Sequence, residues 1–260
     1  MQRSGVLYTI GFAALICVVC SIMVAASAVS LKNKQTENRL LYRQKNVLIA
    51  CGLIEPKQSV PASEIQRLFK QNIRPRVINL KTGEYDDSIR PETYDQRRER
   101  EDPGQSQEAP DNPAQIKRIP NHALVYEYVK DDQFRMVALP VEGKGLWSTM
   151  YGFLALDKDT NTIRGITYYD QAETPGLGGE VENPRWTALW KGRKAFDQAG
   201  QPAIQVIKGA AGSPEQDPHK VDGLSGATIT SKGVTYMMKF WLGENGFEPY
   251  LEKLRQNRSA

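Results

Sequence analysis

Asp222, Ser225, Gly226, Ala227 and Thr228 stand in the order D-x-x-S-G-A-T, with Thr230 and Ser231 close behind. Ser225, Thr228, Thr230 and Ser231 each carry a hydroxyl that can donate to an oxyanion. Gly226 and Ala227 leave room for a close backbone approach. Directly after them, Val234, Met237, Met238 and Trp241 recur at i, i+3, i+4 and i+7, the spacing of one helix face. A hydroxyl-rich loop thus feeds a helix N-terminus, where unpaired N–H groups and the positive dipole end favour an anion. The pattern suits a phosphate site. It also suits an ordinary Ser/Thr-capped helix start.

A second constellation is Glu173-Thr174-Pro175-Gly176-Leu177-Gly178-Gly179-Glu180. Its proline and glycines prescribe an irregular turn that brings backbone near a ligand. Leu177 is the only large apolar side chain in it, suited to covering one face of a planar ring. The competing reading is a plain connection between a strand over 162–170 and a helix opening at Pro184.

Other chemistries lack their residues. His122 and His219 have no Cys or acidic ligand spacing around them and read as surface histidines, so no metal site is expected. No G-x-S-x-G elbow, P-loop or strand-linked G-x-G-x-x-G occurs, and no catalytic residue is assigned. Gly143, Gly145 and Gly152 have the wrong spacing for the last pattern. The Arg97-Arg98-Arg100 cluster is interleaved with Asp95, Glu99, Glu101 and Asp102. It reads as a solvated loop, and no nucleic-acid partner is expected from a net charge of +4.

The elements that must position these residues can be read in order. No charge falls between Arg3 and Lys32, and Val6 to Leu31 is long enough to cross a hydrocarbon core of about 30 Å. It outruns the roughly 7–15-residue core of a signal peptide, although Ala26-Ser27-Ala28 resembles a cleavage site. Residues 1–34 are therefore expected to be a tip and membrane helix, 35–56 a juxtamembrane stalk, and 57–260 the globular domain. Cys17 and Cys20 sit on one face of the span and read as packing residues, with a cluster-ligand pair as the minority reading. Cys51 reads as a buried or idle thiol. Lys32, Lys34, Arg39, Arg43 and Lys45 follow the span, which by the positive-inside rule places the domain in the cytoplasm. The stretch 32–45 is suited to anionic headgroups or a partner subunit.

Within the domain, Ser63 and Gln66 form a capping box ahead of a helix bearing Ile65, Leu68, Phe69 and Ile73. A strand over 76–80 follows. Residues 84–114 are charged and poor in aliphatic side chains, which predicts a long polar surface excursion. Two hairpins follow, 122–129 with 133–139 and 147–156 with 162–170. Asn183-Pro184 caps a helix with Trp186, Leu189 and Trp190 that ends at Gly192. A short strand over 203–208, the Thr228 helix ending near Gly243 and a last helix after Pro249 complete an α+β fold with a mixed or antiparallel sheet and flanking helices.

The D-x-x-S-G-A-T string resembles a flavinylation motif whose last threonine carries FMN through a phosphoester. Together with the membrane segment and the Glu173–Glu180 stretch, it is similar across essentially the whole chain to the C subunit of Na+-translocating NADH:quinone reductases. The resemblance implies an FMN-binding domain with covalent FMN on Thr228. Asp222, Ser225, Gly226, Ala227 and Thr230 would surround the attachment, and Glu173, Thr174, Gly176 and Leu177 would meet the flavin. It implies an electron relay among other membrane and peripheral subunits of a Na+-exporting NADH:ubiquinone reductase, the NADH and quinone sites lying elsewhere. A flavin transferase is implied for maturation. The family places this domain on the periplasmic side of the bacterial inner membrane, against the charge rule. The equivalent G subunit of an Rnf-type ferredoxin:NAD reductase shares this chemistry. A non-redox anchored scaffold is the alternative of a different class.

Overall fold

A single helix, α1 (Val6–Ala50), runs without a proline from the expected span into the expected stalk and stops six residues short of its end in the computed structural model, which describes residues 5–259 and side chains through 256. The Arg3 flank of the span lies outside the described residues. α1 is long and apolar enough to cross a membrane. It ends where Gly52 turns to φ +70°, with Gly52 N–H donating to the Ile49 carbonyl and Leu53 N–H to that of Leu48. That double closure needs a left-handed residue, which glycine supplies at no steric cost. The chain divides into two units, one ending at Tyr42 and one beginning at Arg43.

The second unit is built on an antiparallel sheet in the order β1-β4-β5-β6-β7. After α2 (Ala62–Asn72) come β1 (Ile73–Asn79), α3 (Gln96–Glu101), β2 (Ser106–Glu108) and β3 (Arg118–Pro120). β4 (His122–Lys130), β5 (Gln133–Lys144), β6 (Thr149–Asp157) and β7 (Ile163–Asp170) then run as a meander. The β4–β5 turn holds Asp131 and Asp132 at φ 53° and 55°, the left-handed pair that a two-residue hairpin demands. α4 (Pro184–Ala188), β8 (Gln205–Val206), β9 (Lys220–Val221), α5 (Thr228–Leu242) and α6 (Glu248–Ser259) complete the chain. The α+β reading is correct, with β8 and β9 adding one short parallel pair.

Strand alternation decides which face meets what. Val125, Val137, Leu139, Val141, Leu154 and Ile166 face the main core with Val234, Met237, Met238 and Trp241 of α5 and Tyr250 and Leu251 of α6. The opposite face carries Tyr126, Phe153 and Tyr169, joined edge-on or stacked and extended by Phe69 of α2. The last turns of α1 lie on this face, where Thr167 Oγ1 donates to the Asn46 carbonyl at 3.2 Å.

Several local expectations change. The helix at Pro184 ends at Ala188 with Leu189 as its C-cap, and leaves Trp190 and Gly192 in the turns that follow. α2 begins behind Pro61, which holds the extended N-cap conformation, so Ser63 lies inside the first turn and forms no capping box. Ile73, read as part of that helix's stripe, opens β1. Both histidines are half-buried: His122 Nε2 lies 3.2 Å from Asp86, and His219 Nδ1 lies 2.9 Å from the Lys194 carbonyl. The stretch 84–114 also packs onto its own domain. Asp95 caps α3, Arg97 lies 3.4 Å over the Tyr151 ring, and Arg100 pairs with buried Glu142. Arginine stems over aromatic rings fasten this segment where aliphatic side chains are scarce. Cys51 is buried, and burial pushes its thiol up to about 12.

Candidate functional site

α5 starts at Thr228, with Ala227 as its N-cap and no side chain capping from that position. Gly226 precedes it at φ +69°. The loop is closed internally: Ala227 N–H donates to the Leu224 carbonyl, and Leu224 N–H donates to Ser231 Oγ at 3.1 Å. Asp222 ties the loop to the preceding segment, accepting Ala211 N–H on Oδ1 at 2.9 Å, while its carbonyl accepts Trp186 Nε1 at 2.9 Å. Gly223 is required by packing, since a Cβ there would lie 2.3 Å from the Ile207 carbonyl oxygen.

The four hydroxyls separate by environment. Ser231 is buried and holds Leu224, and Thr230 is 1% exposed and donates to Glu173 Oε2 at 2.7 Å. Ser225 and Thr228 are exposed, and no partner holds the Thr228 hydroxyl among the described residues. Nor do the backbone N–H groups of Thr228, Ile229 and Thr230 meet an acceptor there. Three free amides beside an exposed hydroxyl at a helix N-terminus fit a phosphate group.

Glu173 joins this helix start to two loops. Its Oε1 accepts Trp147 N–H at 2.9 Å and Ser148 N–H at 3.0 Å, and its Oε2 accepts Leu146 N–H at 3.1 Å beside Thr230. Burial opposes its charge, but the Thr230 hydroxyl and these three amides prevail and hold the carboxyl below its ordinary value. Gly145 and Gly178 press against it: a Cβ would lie 2.5 Å from Oε1 at the first and 2.8 Å from Oε2 at the second. Thr174 is exposed and accepts Trp147 Nε1 on Oγ1 at 3.1 Å. Gly176 turns at φ +77°, and Leu177, 42% exposed, leans over Gly226.

The structure therefore brings both expected constellations to one place. It adds a third piece, the β5–β6 turn at 145–148, where Trp147 lies outside the strand the sequence suggested for it. Leu146, Trp147, Leu177 and Ile229 are exposed here; among the described large apolar residues beyond α1, Tyr85 alone shares that exposure. The turn carries no sequence signal beyond Gly145 ahead of two large apolar residues. None of the described His, Cys, Asp and Glu side chains forms a group of three or more suited to a metal ion.

The FMN-binding domain family matches residues 145–243, from the β5–β6 turn to the end of α5. The C subunit of the Na(+)-translocating NADH-quinone reductase of Yersinia pestis is 49% identical over 93% of this chain and 90% of that protein. The chain belongs to this C-subunit family. The Pseudomonas aeruginosa member is 44% identical over 96% of this chain and 97% of its own length. The crystal structure of Shewanella oneidensis NqrC superposes with a TM-score of 0.77 at 36% identity, covering 86% of this chain and 99% of that one. The FMN-binding match within this member of the family encloses all three pieces that meet at Glu173.

Proposed function

We propose that this chain is the electron-carrying FMN subunit of a Na+-translocating NADH-quinone reductase, with the flavin held on Thr228 by a phosphoester. Family membership and the FMN-binding match support the role. The observation that carries the attachment residue is the contrast between two threonines of one helical turn: Thr228 is exposed with an uncommitted hydroxyl, whereas Thr230 is buried and donates to Glu173. When bound, FMN supplies the redox chemistry, and the protein supplies position and electrostatics.

The chain's own residues have defined tasks in this reading. A separate flavin transferase would bring an activated flavin donor to Thr228. The bond from the flavin phosphorus to the donor's leaving group breaks, the Oγ1–P bond forms, and the hydroxyl proton departs with the leaving group, so that the chain gains the mass of one FMN less one water. The free amides of residues 228–230 and the dipole of α5 stabilise the phosphoryl charge. Gly226 keeps the approach open, while Asp222, Ser225 and Ala227 shape the loop. Thr174, Gly176, Leu177 and Trp147 border the space beside it and limit water there. The covalent tether maintains a high local concentration of cofactor whatever the outside supply. In this reading residues 1–34 are the tip and membrane span, 35–56 the stalk, whose part from Arg43 onward is packed into the compact unit, and 57–260 a flavin domain on the periplasmic face of the inner membrane, with the other subunits as electron donor and acceptor.

The test is intact mass and in-gel flavin fluorescence of the chain coexpressed with a flavin transferase. The unaltered protein and Thr230→Ala are expected to carry one FMN, and Thr228→Ala none. Fluorescence surviving in the Thr228 variant would overturn the assignment.

A further inference from the structure

Glu173 is a buried residue, 4% exposed, and its carboxylate has about four lone-pair directions, which four donors in this chain fill. It has no acceptor capacity left for a flavin N–H. A group saturated in this way acts through what it holds. We infer that Glu173 is a positioning residue: it ties the β5–β6 turn and the Thr174–Gly179 loop to the first turn of α5, so that Trp147, Leu177 and Thr228 are presented as one rigid platform. This rests on the reading of Thr228 as the attachment residue and reassigns Glu173 from flavin contact to support.

Three observations beyond the four bonds agree. The glycines at 145 and 178 leave no room for a side chain beside the carboxylate, so both loops are shaped around it. The anchor is itself anchored, because Glu173 N–H donates to Gln171 Oε1 and Ala172 N–H donates to Ser148 Oγ at 2.8 Å. Thr174, the next residue, accepts the Trp147 indole N–H on its hydroxyl and the Leu177 and Gly179 N–H groups on its carbonyl. One carboxylate thus sets the backbone on which an exposed tryptophan and an exposed leucine stand. The charged form is the one that holds four donors, and the lowered pKa keeps it charged at neutral pH.

The test uses the full-length flavinylated chain and its Thr228→Ala form. Glu173→Gln keeps the volume but turns an N–H toward the Leu146 amide, and Thr230→Val removes the helix-side donor alone. In both backgrounds each variant is expected to speed amide exchange at residues 146–148 by about 10- to 100-fold, the loss of a charge-assisted hydrogen bond. In the flavinylated chain both are expected to keep FMN at full stoichiometry while its fluorescence anisotropy falls and its reduction potential moves. The double variant is expected to change these readouts no more than the larger single one, because both cut one tie. Unchanged exchange at 146–148 would overturn the tie itself, with or without flavin. Faster exchange with unaltered anisotropy and potential would overturn the positioning role. Loss of covalent FMN in Glu173→Gln but not in Thr230→Val would assign Glu173 to attachment instead. An unaltered chain without FMN would fail the Thr228 reading and leave the exchange result to judge the tie.

Discussion

Replacing Gly233 of α5 with alanine sets two effects of known size against each other. In an exposed helix interior, Gly→Ala stabilises by about 1 kcal/mol through propensity. Gly233 is buried, and a Cβ there would lie 2.3 Å from the Lys144 carbonyl oxygen and 3.4 Å from Gly145 Cα. Both neighbours are backbone, so α5 and the end of β5 must separate by roughly 0.7–1 Å, a gap that forfeits a quarter to a half of each dispersion contact. The opposing glycine worsens this: a Cβ at Gly143 would stand 2.7 Å from Met237 Cβ, so the elements already touch along this line. Overpacking of this kind costs about 1–3 kcal/mol. Stretching the 2.7 Å bond from Trp241 Nε1 to the Glu142 carbonyl adds about 1 kcal/mol. Packing outweighs propensity, and the expected net loss is about 1–3 kcal/mol, or roughly 3–10 °C in Tm for a domain of this size. Denaturant unfolding of the detergent-solubilised chain, followed by tryptophan emission, measures it, with Lys232→Ala on the exposed side of α5 as the propensity control. A Gly233→Ala protein as stable as the parent, or more so, would refute the reasoning.

Three other outcomes are expected. Leu177→Ala should retain covalent FMN yet shift its visible spectrum and potential; a difference of about 0.5 kcal/mol between oxidation states is roughly 20 mV for one electron, and an unchanged spectrum would return the loop to a plain connection. Arg100→Met should leave Glu142 buried without its cation. Burial already pushes the Glu142 carboxyl above its ordinary value with Arg100 opposing, so its contribution to stability is complete below about pH 4.5 and is lost as pH rises through the folded value. The variant's deficit should therefore widen from pH 5 to pH 8, reaching about 2–4 kcal/mol; a deficit independent of pH in urea titrations would contradict this. A periplasmic phosphatase fused after Ala260 should be active, with Met1 inside, whereas fluorescence of a cytosolic reporter at that position would mean that the Lys32–Lys45 charges set the topology.

Local signals alone determine much of this protein. The apolar run from Val6, the hairpin patterns on either side of Asp131-Asp132 and the Asn183-Pro184 helix start each state their element through neighbouring residues. So does the small-residue string ending at Thr228, because a helix entry is a local event. Tertiary structure alone decided which hydroxyl stays open. Thr228 and Thr230 differ by two positions, about 200° around the helix, and only the packed loops show that the second faces Glu173. Composition reads 84–114 as a polar surface excursion but does not show its anchors, because Arg97 and Arg100 meet rings and carboxylates distant in sequence. The turn at 145–148 was invisible for the same reason. Its shape is imposed by a carboxylate 25 to 27 residues away, and such a contact leaves no local periodicity to read.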